Sequence, residues 1–437
     1  MAKLKRNFRD RDLSLWQSAV DEVVARKTGA ARAQEVGGAA VVTRPDISNS
    51  MVRGAAIDLT AEDLGQPLQP PASIAPAAAE GALDVAKYCS NVARKLAGAI
   101  LRGDAEQETI CREQLGKFSP CDPGWLETVD KYVKFQLENG IVPYRVYNNI
   151  DQYVIEGKLP EDPGTKVAIV GDWGTGQDPA KAVLAQIRRK NPHVVIHLGD
   201  IYYSGTDFEV QNYFYQIWNS TLNLATTPTF TLSGNHDMFA GGVPYYRLID
   251  QLGQPSSYFC LRNANWQFVA LDTGLHDQKP AANEPTFLEQ TEVDWLKRRL
   301  DQAGGRRTVL LSHHQLFSAF EGVPPGQAVN DKLSAQIGPL LSQLAIWLWG
   351  HEHNLVLYKK HMGVLARCVG HGGFPVGLEE VPVQPLHAEI PVEDFRLQAG
   401  DAFFAHGYAI IELQGKNATI SYYQDTDENH PVFVEQL

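Results

Sequence analysis

The sequence predicts an α/β protein preceded by a mostly helical N-terminal region. Three observations carry that prediction. From about residue 165 onward, short apolar runs alternate with stretches of helical periodicity. Most of these runs end at once in a turn built from Gly with Asp, Asn or His. Before residue 150 the apolar residues recur at helical spacing, and no chemistry-bearing motif appears in 81–150. The 437 residues, 44% hydrophobic and 21% charged, have the ordinary balance of a soluble globular chain long enough for two or three domains. We divide it into a helical region, 1–150, and an α/β domain, 160–437.

Within 1–64, Leu13, Trp16, Val20 and Val23 share one helical face and read as a packing helix. Residues 65–80 (GQPLQPPASIAPAAAE) are rich in Pro and Ala and read as a linker or a surface arm. In 81–150, Val85, Tyr88, Val92, Leu96 and Ile100 line one helix, and Trp125, Val129, Tyr132 and Val133 another. These aromatics read as core, and the region is our candidate surface for an oligomer.

The first strand of the α/β domain is Val167-Ala168-Ile169-Val170. A helix follows, with Asp178 as its cap, Pro179 at its first position, an inner face of Ala182, Leu184 and Ile187, and Arg188-Arg189-Lys190 at its end. Strands are expected at 194–198, 229–232, 268–271, 309–311 and 345–349, and helices near 207–219, 289–303 and 332–344. Toward the C-terminus, 355–358, 363–369, 408–413 and 418–423 read as further strands. Residues 375–405 hold many Pro and acidic residues with little periodicity, and read as a long loop at the mouth of a site.

Five turns concentrate the chemistry. They are Gly171-Asp172-Trp173-Gly174, Gly199-Asp200-Ile201-Tyr202-Tyr203, Gly234-Asn235-His236-Asp237, Ser312-His313-His314 and Gly350-His351-Glu352-His353. All sit at carboxyl ends of strands, where open α/β sheets place their sites. Glycine there lets the chain turn sharply and bring a short side chain inward. Each turn alone is explained as well by strand capping, but five together are not. Carboxylate, phenolate and imidazole are good metal ligands, and Asp200 has two oxygens with which to bridge a pair of ions. His351 and His353 are two apart, so in an extended segment both face one way and each can serve a different ion. Gly171-Asp172-Trp173-Gly174-Thr175-Gly176 is not a nucleotide P-loop, since no Lys-Ser/Thr follows.

In this order the five turns resemble the purple acid phosphatases, within the calcineurin-like metallophosphoesterases, over roughly residues 165 to 425. The resemblance implies a two-sheet α/β/β/α sandwich with ligands on loops at one edge. It implies one ion held by Asp172, Asp200, Tyr203 and His353, and a second held by Asp200, Asn235, His313 and His351. Most calcineurin-like enzymes have Asp-x-His at the first turn. Here Asp172-Trp173-Gly174, together with Tyr203, points to the purple branch, in which an Fe(III)–tyrosinate fills the first site. The second ion is then divalent Fe, Zn or Mn.

The expected activity is dinuclear metal-dependent hydrolysis of a small phosphate ester by a metal-bound hydroxide. Two cations clamp the attacking and leaving oxygens, and zinc alone brings bound water from a pKa of ~15.7 to about 7. A phosphomonoester is the leading substrate. A phosphodiester of cyclic-nucleotide or phospholipid type, and a metal-bound binding protein without turnover, are the alternatives. His236 is the candidate acid for the leaving alkoxide, with Asp237 as its orienting partner. His314 is placed near substrate and His371 at the edge of the site. Trp173 reads as packing on the metal loop and His197 as a hydrogen-bonded core residue, whereas His276 and His406 read as exposed.

A net charge of -12 disfavours a nucleic-acid partner, and no run is apolar enough to span a membrane. The five cysteines, Cys89, Cys111, Cys121, Cys260 and Cys368, are few, odd in number and form no CxxC pair, which argues against a full disulfide framework. The opening residues are charged and lack an apolar run, so a cytoplasmic location is expected, with a secreted mature form left open.

Overall fold

The computed structural model describes residues 140–161, 163–277, 285–320, 323, 326–378, 385–393, 397–400 and 403–437, with Lys95, Asp104, Ala105, Gln107 and Phe135 as isolated positions. The helices expected before residue 140 and the Pro/Ala-rich arm at 65–80 lie outside the described residues. Ile141–Leu437 falls within one compact unit. Among the described residues, no helix is long and apolar enough to cross a membrane.

Two sheets make the frame. One has six strands in the order β13-β12-β11-β2-β3-β4, namely Phe433–Gln436, Asn417–Gln424, Gly407–Gln414, Thr165–Val170, Val194–His197 and Thr229–Thr231. The other has seven, β1-β5-β6-β7-β8-β10-β9, namely Val154–Glu156, Phe259–Arg262, Trp266–Ala270, Arg307–Ser312, Ile346–Trp349, Ala366–Val369 and Leu355–Leu357. β2, β3 and β4 run parallel, as do β6, β7 and β8. Their carboxyl ends therefore carry the five turns.

The apolar runs are continuous because both faces of each sheet are covered. In β2, Val167 and Ile169 enter the core shared with β7 and β8, while Ala168 and Val170 turn outward under helices. In β8, Ile346 and Leu348 point inward, and Trp347 and Trp349 point to the opposite, helix-covered face. Period-two alternation thus feeds two apolar layers at once. The outcome is an α/β/β/α sandwich.

Helix α1 (Asp178–Arg189) packs on the six-stranded sheet through Ala180, Val183, Leu184 and Ile187. Its cap is Gln177, in extended conformation, so Asp178 lies within the first turn rather than at the cap, where its charge still suits the helix dipole. The inner face uses Val183, and Ala182 is exposed. A helical segment follows at 207–222, as α2 (Asp207–Glu209), a π-helical stretch (Val210–Tyr215) and α3 (Gln216–Leu222). Thr206 and Glu209 close it with a reciprocal capping box. Two helices were not among those expected, α4 (Asn235–Met238) and α5 (Val243–Leu252). On the seven-stranded sheet, α6 (Gln290–Asp301) buries Trp295 and Leu296, and α7 (Asp331–Ile337) buries Leu333 and Ile337.

Candidate metal centre

The two sheets each supply half of a cluster. Asp172, Asp200 and Asn235 follow β2, β3 and β4, whereas His313, His351 and His353 follow β7 and β8. Asp172, Asp200 and His351 have φ of 55°, 77° and 65°, in the left-handed region that side chains seldom adopt. Non-glycine residues held there cost of order 1–3 kcal/mol each, and such strain gathers at functional sites. The surrounding hydrogen bonds hold them. The Asp172 N–H donates to Gly199 O (3.1 Å), the His351 N–H to Asp172 Oδ2 (2.8 Å) and the His236 N–H to Asp200 Oδ1 (3.0 Å).

The donor atoms fall into two sets. In the first, the Tyr202 hydroxyl lies 3.2 Å from Asp172 Oδ1, 3.2 Å from Asp200 Oδ2 and 2.7 Å from His353 Nε2, and His353 Nε2 is 3.4 Å from Asp172 Oδ1. In the second, Asn235 Oδ1 is 3.2 Å from His313 Nε2 and 3.1 Å from His351 Nδ1, and the two imidazole nitrogens are 3.2 Å apart. Asp200 Oδ2 lies 3.3 Å from His313 Nε2, so one carboxylate joins both sets. Ligands about 2.0–2.2 Å from an ion, at roughly 90–110° to one another, stand about 3–3.5 Å apart. Both sets therefore fit an ion. His313 is oriented for this, because Nδ1 faces Leu198 O (2.9 Å), which leaves the Nε2 lone pair toward the cluster. Asn235 Nδ2 is buried without a hydrogen-bond partner, while its oxygen turns into the donor set.

Burial alone would raise the Asp200 carboxyl, but His313, His236 and His353 beside it hold it below the usual carboxylate range. An anionic, buried Asp200 is what a shared ligand requires.

Two placements differ from the expected ones. The hydroxyl placed in the first set is that of Tyr202, the residue beside the expected Tyr203. Glu209, the capping carboxylate, accepts the Tyr203 N–H, and the Tyr203 carbonyl faces His236 Nδ1 at 2.6 Å. The Tyr202 ring packs among His236 (4.5 Å between centroids), Phe374 (4.9 Å) and His353 (5.8 Å). Asp237 does not orient His236; the Tyr203 carbonyl does. Asp237 Oδ2 instead accepts the N–H groups of Gly234 (2.8 Å) and Asp200 (2.9 Å), pinning two ligand loops together. Burial and the nearby Asp200 push its carboxyl up.

The remaining residues fall as follows. Trp173 is fully buried, and its indole N–H donates to Ala180 O (2.5 Å), tying the first ligand loop to α1. His314 is buried beside the second set, its ring 4.3 Å from that of His351. His197 is buried, hydrogen-bonded to Thr231 Oγ1 (2.9 Å), and lowered to about 3 by burial. His371 is also buried and lowered to about 3, by burial and by the neighbouring His406. His406 is buried near Asp425 rather than exposed. His276 is partly covered by Phe287, with ring centroids 3.8 Å apart. Phe374 was missed by sequence reasoning. It stacks on His353 at 3.9 Å, and nothing in its Gly-Gly-Phe context signals that contact.

Residues 165–355 match the family model of the calcineurin-like phosphoesterases. The chain carries a calcineurin-like phosphoesterase domain. It is 26% identical to tartrate-resistant acid phosphatase type 5 of Oryctolagus cuniculus over 294 residues, 60% of this chain and 87% of that protein. The human protein of the same name is 25% identical over the same length. The glycerophosphodiester phosphodiesterase GpdQ of Enterobacter lignolyticus is 26% identical over 204 residues, 44% of this chain and 66% of that protein. The family-model match over residues 165–355 and the similarity to tartrate-resistant (purple) acid phosphatase support a hydrolase of phosphoric esters. The phosphoesterase family uses a dinuclear metal centre, and the two donor sets sharing Asp200 fit one.

Proposed function

We propose that this phosphoesterase acts on phosphomonoesters, with Asp172, Asp200, Tyr202 and His353 holding Fe(III) and Asp200, Asn235, His313 and His351 holding a divalent Fe, Zn or Mn ion. The observation that carries the reading is the pair of donor sets joined at Asp200 Oδ2. A phenolate is a hard anionic donor that suits a trivalent ion, and an imidazole-rich set with an amide oxygen suits a divalent one. When bound, the ions supply an acidified water as nucleophile and positive charge for the phosphate oxygens.

The chain's own residues do the rest. Asp200 fixes the spacing of the two sets. His313 presents Nε2 because Leu198 O faces its Nδ1. In the tautomer with a proton on Nδ1, His236 donates to Tyr203 O and is held against Tyr202. In its imidazolium form His236 carries a second proton on Nε2, which it hands to the leaving alkoxide, returning to that tautomer; the residue is only 3% exposed. Phe374 keeps water off the His353 face of the first set.

Two tests apply. Hydrolysis of nitrophenyl phosphate is measured beside its bis-ester, across pH, on protein loaded with iron and a divalent ion. Monoester preference supports the proposal. Diester preference moves the lead to the phosphodiesterase reading, which the resemblance to GpdQ favours. Absence of both activities in fully loaded protein leaves a metal-bound binding protein. For the tyrosine, Tyr202→Phe should abolish the visible tyrosinate-to-iron band while Tyr203→Phe keeps it. The reverse pattern returns the ligand role to Tyr203.

A further inference from the structure

A loop that donates no ligand grips one half of the cluster. Residues Asp272 to Asp277 follow β6 and lie against the second donor set. Asp272 Oδ1 accepts the hydroxyl of Ser233, two residues before Asn235, and the N–H of Leu275 at 3.0 Å. A Cβ added to Gly274 would sit 2.6 Å from Gly234 O, so the loop lies directly on the Ser233-Gly234 main chain. Thr273 Oγ1 accepts the His314 N–H (3.0 Å) and is 3.0 Å from His314 Nδ1. Asp277 Oδ2 is 2.9 Å from His314 Nε2. Both nitrogens of His314 are therefore engaged, and its ring rests against His351 (4.3 Å) and His313 (4.8 Å).

The loop is itself anchored. The Asp272 N–H donates to Glu292 Oε1 (2.8 Å), and the other oxygen of Glu292 receives the Tyr144 hydroxyl (3.1 Å). Burial and the neighbouring Asp272 push the Glu292 carboxyl up, which suits a neutral anchor. A different loop serves the first set. The Gly372 N–H donates to Gly171 O (2.9 Å), the Phe374 N–H donates to Asp172 O (3.1 Å), and the Phe374 ring covers His353.

We infer that the Asp272–Asp277 loop is a positioning element for the second ion alone: through Ser233 and His314 it sets Asn235, His313 and His351, and so governs how tightly that ion is held. The inference rests on the two-ion reading proposed above. Groups that orient metal ligands from outside change metal affinity by about 10–100-fold when removed. His351 is the partly exposed member of the second set, and it leans on the engaged face of His314.

The test uses the full chain, stripped and reloaded with iron and then titrated with zinc, with both metals counted per chain. The variants are Asp277→Asn and His314→Phe, the latter keeping a ring against His351 while removing both ring hydrogen bonds. A Phe374→Ala variant serves as the counterpart on the first set. Expected is a 10–100-fold weaker zinc affinity in both loop variants, with iron content unchanged and turnover restored at saturating zinc. Unchanged zinc affinity in Asp277→Asn overturns the inference, as does equal loss of iron and zinc, which would mark a general structural defect. A wild-type chain that takes up a single ion overturns both this inference and the reading beneath it.

Discussion

Gly234→Ala is the sharpest test of how closely the ligand loops are packed. A Cβ built on Gly234 would lie 2.0 Å from Asp200 Oδ1 and 2.9 Å from the Asp200 main-chain nitrogen, and real Cβ contacts do not fall below 3.0 Å. The two loops must part by about 1 Å to admit the methyl. Rotation of Asp200 alone cannot make the room, because Oδ1 also accepts the His236 N–H and the main chain itself is in the way. Asn235 is the next residue, so its Oδ1 would move away from His313 Nε2, now 3.2 Å distant. A displacement of about 1 Å at a reacting centre costs about 100-fold in rate. We expect kcat/KM for nitrophenyl phosphate to fall at least that far, with the second ion lost first on dilution. Gly338→Ala is the control: its added Cβ meets only Ser334 Oγ at 3.8 Å, and its φ of -45° suits alanine. It should keep full activity and gain about 0.4–1 kcal/mol. Wild-type activity and metal content in Gly234→Ala would refute the packing described for these loops.

Two further outcomes follow from buried charge. His197 is lowered to about 3 in the folded protein by burial, against 6.5 when unfolded. Its stabilising contribution is complete above pH 6.5 and is lost as pH falls toward the folded value, at about 1.4 kcal/mol per unit. Between pH 7.5 and 4.5 the wild type should therefore lose about 2–3 kcal/mol more than His197→Gln, measured by urea unfolding; parallel pH profiles would contradict this. Arg367 and Glu435, with side chains 3% and 12% exposed, form an ion pair that joins β10 of one sheet to β13 of the other. Arg367→Met should cost about 3–5 kcal/mol by leaving Glu435 buried and unpaired, and the added change Glu435→Leu should recover much of it. Equal stability of the single and double variants would show that the pair is not buried in solution.

The strands were legible because burial on both faces writes itself as an unbroken apolar run. Val167–Val170 and Ile346–Trp349 could be read before any fold was known. The candidate ligands at their ends were legible because each is polar and sits in the turn that directly follows an apolar run, most of them beside glycine. Asp200 was expected to use both oxygens to join the sets, but Oδ2 alone faces both while Oδ1 accepts the His236 N–H. Helix α4 escaped for the opposite reason. Asn235–Met238 is a single turn spent on carrying a ligand. Val243–Leu252 does carry a two-faced pattern, burying Tyr245, Tyr246, Leu248 and Ile249 and exposing Arg247 and Asp250, and the sequence reading passed over it. The seating of His406 was also hidden, because its partner Asp425 comes from the far end of the β11–β12 hairpin, a pairing the periodicity does not give.

The tyrosine pair shows what tracing the backbone adds to counting along a motif. A register of three residues from Asp200 selects Tyr203. It takes no account of Glu209, whose carboxylate gathers the N–H groups of Tyr203, Ser204 and Thr206 to start a helix. Those bonds fix the main chain at 203, turn its carbonyl to His236, and leave Tyr202 as the ring between His236, His353 and Phe374. Capping of one helix thus helps fix the main chain from which the Tyr202 hydroxyl reaches the carboxylates. The same logic governs the second donor set. Its donors come from loops after β3, β4, β7 and β8, but Asp272, Thr273 and Asp277, outside that set, bond to Ser233 and His314. Ligand identity is local to the turns, whereas ligand geometry is set by neighbouring loops that the motifs do not contain.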